Sequence, residues 1–313
     1  MPTALPKNPA RRPPVLTIVH LALTVTVGIG LNSLSIPWDA HRQWLAILAL
    51  VAFFGLPHGA LDPLLAYRYG LWRTPLAAVI GVLAYLALVG LMLVFWRWRT
   101  AGALAVFLGI TAWHFSGDWR CQEAPLTGWT SVALLLGLPA LAHPQVFVDL
   151  FALVLGDATA RNFRMALAAI GAAALPLALL VAARVHRNAP AQALELFAIG
   201  IGGFLLPPLW FFTLYFCVLH SPRHIARHFA ADARMASRRL WLIGFAFTLP
   251  VVGAAVWYVS GMPRSQVAEG FAQTLLAGLF ALTVPHVLLL EWAERRGGLP
   301  DGRAGTPGPL AGA

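Results

Sequence analysis

Nine long stretches of the chain pass without a single Asp, Glu, Lys or Arg: 15–38, 43–61, 74–96, 100–117, 124–148, 165–183, 196–222, 240–263 and 270–290. A soluble core helix is interrupted by charge every turn or two, whereas a bilayer core needs about 20 largely apolar residues. None of the stretches shows the ten-residue alternation of a transmembrane strand. Main-chain groups in lipid must be satisfied within their own segment, so these stretches are predicted to be helices. The pattern predicts an all-α, polytopic helical membrane protein with about seven to nine transmembrane helices. Residues 15–293 read as one transmembrane domain. A basic, proline-rich tail (1–14) precedes it, and a Gly/Pro-rich tail (294–313), expected to be disordered, follows.

Topology is where the pattern strains. Arg11, Arg68, Arg184 and the cluster from Arg223 to Arg239 all favour the cytoplasmic side. Simple alternation of the apolar runs does not place all of them there. Either 124–155 makes two short passes, or 196–228 is broken near Pro207-Pro208.

Composition agrees with the membrane reading. Charged residues make up 11% of the 313, less than half the share in soluble domains. The formal net charge of +10 would suggest nucleic acid in a soluble protein; here the arginines sit in short loops, so a positive-inside bias explains them and no nucleic-acid partner is expected. Two cysteines, Cys121 and Cys217, give no disulfide framework, and Cys217 reads as a small buried hydrophobe. The first apolar segment is too long for a cleaved signal peptide, so the N-terminus is expected in the cytoplasm of a multi-pass cell-membrane protein.

Candidate chemistry lies with the histidines. His20, His41, His143 and His186 stand alone at segment ends or in loops, where interfacial or solvated side chains are expected. His58 (FFGLPHGALD), His114 (TAWHFSGDW), His220 and His224 (VLHSPRH) and His286 (LTVPHVLLLE) sit in apolar segments. Ionisable groups there are costly and face the bundle interior for a reason. His220 and His224 share a helix face at i,i+4 and could reach one ion, with Pro222 between them removing a helical hydrogen bond. His58 and His114 each precede an aspartate by four residues, Asp62 and Asp118. A carboxylate commonly orients a ligating imidazole through its second nitrogen; the plainer reading has both aspartates ending helices at the interface. Four imidazoles from three segments suggest a site for iron, zinc or copper.

The motifs PHGALD, WHFSGD and HSPRH, in that order on separate apolar segments, resemble the Brp/Blh family of microbial β-carotene 15,15′-dioxygenases. The resemblance spans about His58 to His224. It implies an integral membrane enzyme that splits β-carotene with O2 at its central double bond into two retinals, using non-haem Fe(II) held by four histidines. Carried onto this sequence, the ligands and catalytic residues would be His58, His114, His220 and His224, with Asp62, Asp118 and His286 as their supporting neighbours. His228 is an alternative ligand. Phe54, Trp113 and Tyr215 are expected to line the carotenoid channel, and Arg223 to anchor at the interface. A functional link to a retinal-binding rhodopsin would follow from the product. Two rival classes remain at this stage. A membrane di-iron desaturase would need several more histidine boxes, and a histidine-based metal or proton transporter would favour paired broken helices in repeated halves.

Overall fold

The computed structural model describes residues 15–33, 40–122, 125–229 and 237–297. The N-terminal tail lies outside them. The final helix runs on to Gly297, so residues 294–297 are helical rather than part of a disordered tail, and 298–313 lie outside the described residues.

Regular structure among the described residues is entirely helical. In chain order the α-helices are α1 (Val15–Ser33), α2 (Ala40–Leu50), α3 (Pro57–Ala60), α4 (Asp62–Arg68), α5 (Pro75–Trp98), α6 (Thr100–Ser116), α7 (Pro125–Ala142), α8 (Pro144–Leu155), α9 (Asp157–Val185), α10 (Pro190–Leu205), α11 (Pro208–Leu214), α12 (Ser221–Phe229), α13 (Ser237–Ser260) and α14 (Val267–Gly297). Six helical stretches are long and apolar enough to cross a membrane: Gln43–Arg68, Pro75–Trp98, Thr100–Trp119, Asp157–Val185, Arg239–Ser260 and Val267–Ala293. The pair α7–α8 raises this to seven if it forms one bent span, and Val15–Leu31 and Pro190–Leu205 are shorter apolar helices. The architecture is that of an all-α polytopic membrane protein.

Prolines set the breaks. A residue before proline is pushed towards extended backbone, and proline itself suits the first helical position. His143, before Pro144, has φ −125° and ψ 59°, and there α7 and α8 bend by 101°. Leu206, before Pro207, is extended at φ −108° and ψ 138°, which ends α10 before α11 begins at Pro208. Of the two alternatives offered by the arginine distribution, the break near Pro207-Pro208 is present, while 124–155 forms a bent pair that counts as at most one span rather than two short passes.

Pro57 and Pro222 act differently. Each follows a widened π turn, Val51–Gly55 and Tyr215–His220. A proline ring clashes with the carbonyl four residues back, and the π turn shifts the ladder by one residue to relieve this. Thus Leu56 N–H bonds Val51 O (2.7 Å), and Ser221 N–H bonds Phe216 O.

Large apolar side chains face outward along α5, including Leu76, Val79, Ile80, Leu83, Leu86 and Val94, as expected of a helix against lipid. Trp98, Trp257 and Tyr258 are exposed near helix ends, where amphipathic rings favour the membrane interface. Inside, α7 and α9 cross with their backbones nearly touching. A Cβ on Gly137 would lie 2.3 Å from Gly171 N, and one on Gly171 2.5 Å from Gly137 C. Without a hydrophobic drive between helices in lipid, such close approach is the main source of association.

A second tie is polar. Glu195 on α10 accepts from Thr17 Oγ1 on α1 (2.8 Å), from Trp119 Nε1 (2.8 Å) and from the Arg223 guanidinium on α12. Arg223 is thus drawn to an internal carboxylate instead of the interface expected for it. Arg227 NH2 caps Gly117 O (2.9 Å). Together these bonds fix α12 against the turn that follows α6.

Replacing Gly137 or Gly171 by Ala should lower the thermal midpoint of the detergent-solubilised protein, at a cost of about 1–3 kcal/mol or more from overpacking. Gly90→Ala and Gly109→Ala, where an added Cβ meets nothing within 4 Å, should be neutral or slightly stabilising. Equal behaviour of the two pairs in a melting assay would contradict the α7–α9 contact.

Candidate metal centre

Five histidines converge. His58 comes from α3, His114 from the last turn of α6, His220 from the π turn before Pro222, His224 from α12, and His286 from mid-α14. The His58 ring centroid lies 5.1, 5.1 and 5.2 Å from those of His220, His224 and His286. His114 stands 5.0 Å from His220 and 5.3 Å from His286. Ligand atoms of His58, His114 and His286 lie within 4.8 Å of one another, as do those of His114, His220 and His224.

Three of the imidazoles are aimed by hydrogen bonds to their second ring nitrogen. Gly59 N–H turns to Leu56 O (3.1 Å), and the Gly55 carbonyl takes His58 Nδ1 (2.5 Å). Asp118 Oδ2 takes both the Tyr215 hydroxyl (2.8 Å) and His220 Nδ1 (3.0 Å). Asp62 accepts the Tyr85 hydroxyl on Oδ2 (2.9 Å) and His286 Nδ1 on Oδ1 (2.7 Å). A carboxylate or carbonyl can only accept, so the proton sits on Nδ1 and the Nε2 lone pair is left free. Nε2 of His114, His220, His224 and His286 is buried with no hydrogen-bond partner among the described residues. Buried acceptors that face one another without a donor are costly unless a cation or water lies between them. The donor set, neutral imidazoles held from behind by carboxylates, fits a divalent first-row transition metal.

The aspartates are not paired as their spacing suggested. Neither i,i+4 pair within a helix forms: Asp62 serves His286, and Asp118 serves His220. The physical cause is a break in the helix between each histidine and its aspartate. Leu61, at φ −84° and ψ 0°, separates α3 from α4, and α6 gives way at Gly117 to a tighter 3-10 turn, Gly117–Gln122. Neither aspartate therefore stays on its expected face.

Other expected residues are placed elsewhere. His228 lies 4.6 Å from His224 by ring centroids, yet its Nδ1 stands 3.3 Å from the Tyr69 hydroxyl, and it joins neither group of facing nitrogens. His20, expected at an interface, is fully buried on α1. His143 is half-buried, His186 is exposed, and the side chain of His41 lies outside the described residues. Cys217 is buried, donating to Leu50 O (3.4 Å).

An apolar cavity of about 260 Å³ abuts the centre, walled by His58, His114, His220 and His286 at one end and by Phe107, Phe115, Phe212 and Phe216 along its side. None of the three residues expected to line a channel is among the residues that wall this cavity. Phe54 is 50% exposed on the outer face, Tyr215 is buried with its hydroxyl on Asp118, and Trp113 borders a separate polar notch of about 30 Å³ with His114, His224, Arg227 and His228. Consecutive aromatics point to different sides of a helix, and sequence gave no way to tell which faced inward.

The cavity has a mouth. Val82 and Leu86 on α5, and Phe247 and Val251 on α13, both wall the cavity and face outward. Both helices pack against α14. Sequence reading missed Tyr85 and Glu195. Tyr85 is the lone hydroxyl-bearing ring in the otherwise apolar α5, and a buried tyrosine hydroxyl calls for a partner. Glu195 adjoins an apolar run, and a carboxylate in that position is a site signal.

Comparison with known proteins bears on this geometry. The chain is 28% identical over 264 residues to the beta-carotene 15,15′-dioxygenase of an uncultured marine bacterium (66A03), covering 81% of this chain and 94% of that protein. It is 27% identical over 326 aligned positions to the probable beta-carotene 15,15′-dioxygenase Blh of Halobacterium salinarum, covering 90% of this chain and 92% of the relative. No solved structure matches. Residues 49–294, which carry all five histidines and both aspartates, match the family described as beta-carotene 15,15′-dioxygenase, and the chain belongs to that family.

Proposed function

We propose that this protein cleaves β-carotene at its central 15,15′ double bond with O2, yielding two retinal molecules, at a non-haem Fe(II) held by His58, His114, His220 and His224. The observation that carries the reading is the meeting of buried, partnerless imidazole nitrogens with the end of an aromatic-walled cavity that opens towards lipid. The names of the two relatives supply the substrate. Iron there would supply the activation of O2, which zinc in the same cage could not.

The residues do the rest. Asp118 and Gly55 O fix the His220 and His58 rings with Nε2 inward. The phenylalanine walls exclude water and hold a conjugated chain by dispersion and ring contacts. The mouth between α5 and α13 admits an apolar substrate sideways from the bilayer, which dissolves it. One C=C bond breaks, both atoms of O2 are taken up, and each carbon of the former double bond becomes an aldehyde. Retinal leaves the way the substrate came, available to a retinal-binding membrane protein such as a rhodopsin. The N-terminus lies in the cytoplasm of a cell-membrane protein, following the basic tail.

In cells that accumulate β-carotene, the wild-type chain should bleach the colour and produce retinal, and His220→Ala at matched expression should produce none. Purified protein should carry one iron per chain. Two irons would point to a desaturase-like centre, and folded protein with none to a transporter. Tyr215→Phe, which removes one of the two donors to Asp118, should weaken iron binding about 10-fold or more while leaving the carotenoid KM near wild type. Phe216→Ala should show the reverse pattern, and equal effects of both variants on KM would count against this division of roles.

A further inference from the structure

We infer that His286 is a fifth nitrogen donor to the metal rather than an outer neighbour of four histidine ligands. The inference rests on the metal-dependent reading above and deepens it.

The centre is built twice over. On one side Asp118 receives a tyrosine hydroxyl and His220 Nδ1; on the other Asp62 receives a tyrosine hydroxyl and His286 Nδ1. The two constructions match in donor type and nearly in length, at 2.8 and 3.0 Å against 2.9 and 2.7 Å. An arrangement that prepares His220 to ligate prepares His286 equally. A histidine acting only from outside would turn a nitrogen to a ligand residue. Here Nδ1 of His286 is committed to Asp62, and its Nε2 is buried with no partner.

Hydrogen bonding fixes the nature of that Nε2. Three of the five imidazoles have Nδ1 held by a pure acceptor: His58 by Gly55 O, His220 by Asp118 and His286 by Asp62. Their Nε2 atoms are therefore all acceptors. By this criterion His286 has a stronger claim to ligation than His114 or His224. Its ligand atom lies within 4.8 Å of those of His58 and His114, and its ring centroid is 5.0 Å from that of His224. Two nitrogens bound at about 2.1 Å to one ion are at most about 4.2 Å apart. The trio His58, His114 and His286 therefore needs to close by up to about 0.6 Å, and so does the trio His114, His220 and His224, the two being joined through His114.

Position on α14 adds a consequence. Leu279, Leu282 and Thr283 on the same helix wall the cavity just before Pro285 and His286. One helix thus carries both a ligand and the substrate wall. Five imidazoles would leave a six-coordinate ion a single further position, and holding the polyene would then fall to the wall.

The test uses full-length protein in nanodiscs, loaded without oxygen with Fe(II), and with Co(II) as a spectroscopic stand-in. His286→Ala should weaken Fe(II) binding at least 100-fold and alter the Co(II) visible spectrum. Added imidazole, filling the vacated position, should restore both towards wild type. His186→Ala, an exposed site, should change neither. Should His286→Ala fail to fold, His286→Gln and Asp62→Asn keep the side-chain volume; the first should repeat the spectral change, and the second should show a smaller one. Wild-type affinity and spectrum in the folded His286 variants, or a loss that imidazole does not rescue, overturns the fifth-donor assignment alone. A wild-type chain that binds no Fe(II) overturns the functional reading beneath it.

Discussion

A carboxylate buried among apolar helices must gather donors, and in this protein the donors it gathers decide how the helices meet. Asp62 draws Tyr85 from α5 and His286 from α14 to the start of α4. Asp118 draws Tyr215 and His220 from the π turn to the turn after α6. Glu195 joins α1, α10 and α12 in the same way. Removing one donor from such a set leaves a buried carboxylate partly unsatisfied, at a cost of about 1–3 kcal/mol. The bundle in lipid has little hydrophobic drive of its own. These three carboxylates and the close α7–α9 crossing therefore supply much of what fixes its geometry. The site is a place where the fold is tied together, and the same bonds that tie it orient the imidazoles.

Much of this was legible beforehand, and the reason is chemical. Histidines and aspartates are rare in apolar segments, so His58, His114, His220, His224, Asp62 and Asp118 stood out by residue type alone. Their partners did not, because an i,i+4 argument assumes an unbroken helix. Leu61 and the turn at Gly117 break both helices between histidine and aspartate. His286 was visible as a residue but not as an equal of His220, since its partner Asp62 is 224 positions away in sequence. The cavity wall was illegible for a different reason. Phe54 and Phe216 look alike in sequence, yet one faces outward and the other walls the cavity.

The prolines show how one residue type serves two ends. At Pro144 and Pro207 the residue before the ring leaves the helical region and the helix stops, which bends the path of the bundle. At Pro57 and Pro222 the helix persists by widening into a π turn. The difference matters for chemistry. A stopped helix would separate His220 from His224, whereas a widened one keeps both rings on the centre, 6.1 Å apart. Beside Pro57, the same widening leaves the Gly55 carbonyl to hold His58. Two π turns next to two histidines of the centre are thus the local cost of placing imidazoles where a regular helix would not.

The centre is also asymmetric, and the asymmetry follows from what each side must exclude. One side is the aromatic cavity, open between α5 and α13 to the region where an apolar substrate dissolves. The other is a small polar notch bordered by His114, His224, Arg227 and His228, with room for about one water. Four of the five histidines face the cavity, and only His114 borders both spaces. A cation placed among these rings has hydrocarbon on one flank and polar side chains on the other. The apolar flank keeps bulk water from a reactive site, while the polar flank and the two tyrosine–aspartate–histidine chains hold the rings still. Both requirements bear on α14, which packs against α5 and α13 at the mouth and carries His286 at the centre. The Asp62–His286 bond thus ties the helix that walls the cavity to the centre itself, and one hydrogen bond bears on both the cavity wall and the direction of a ring.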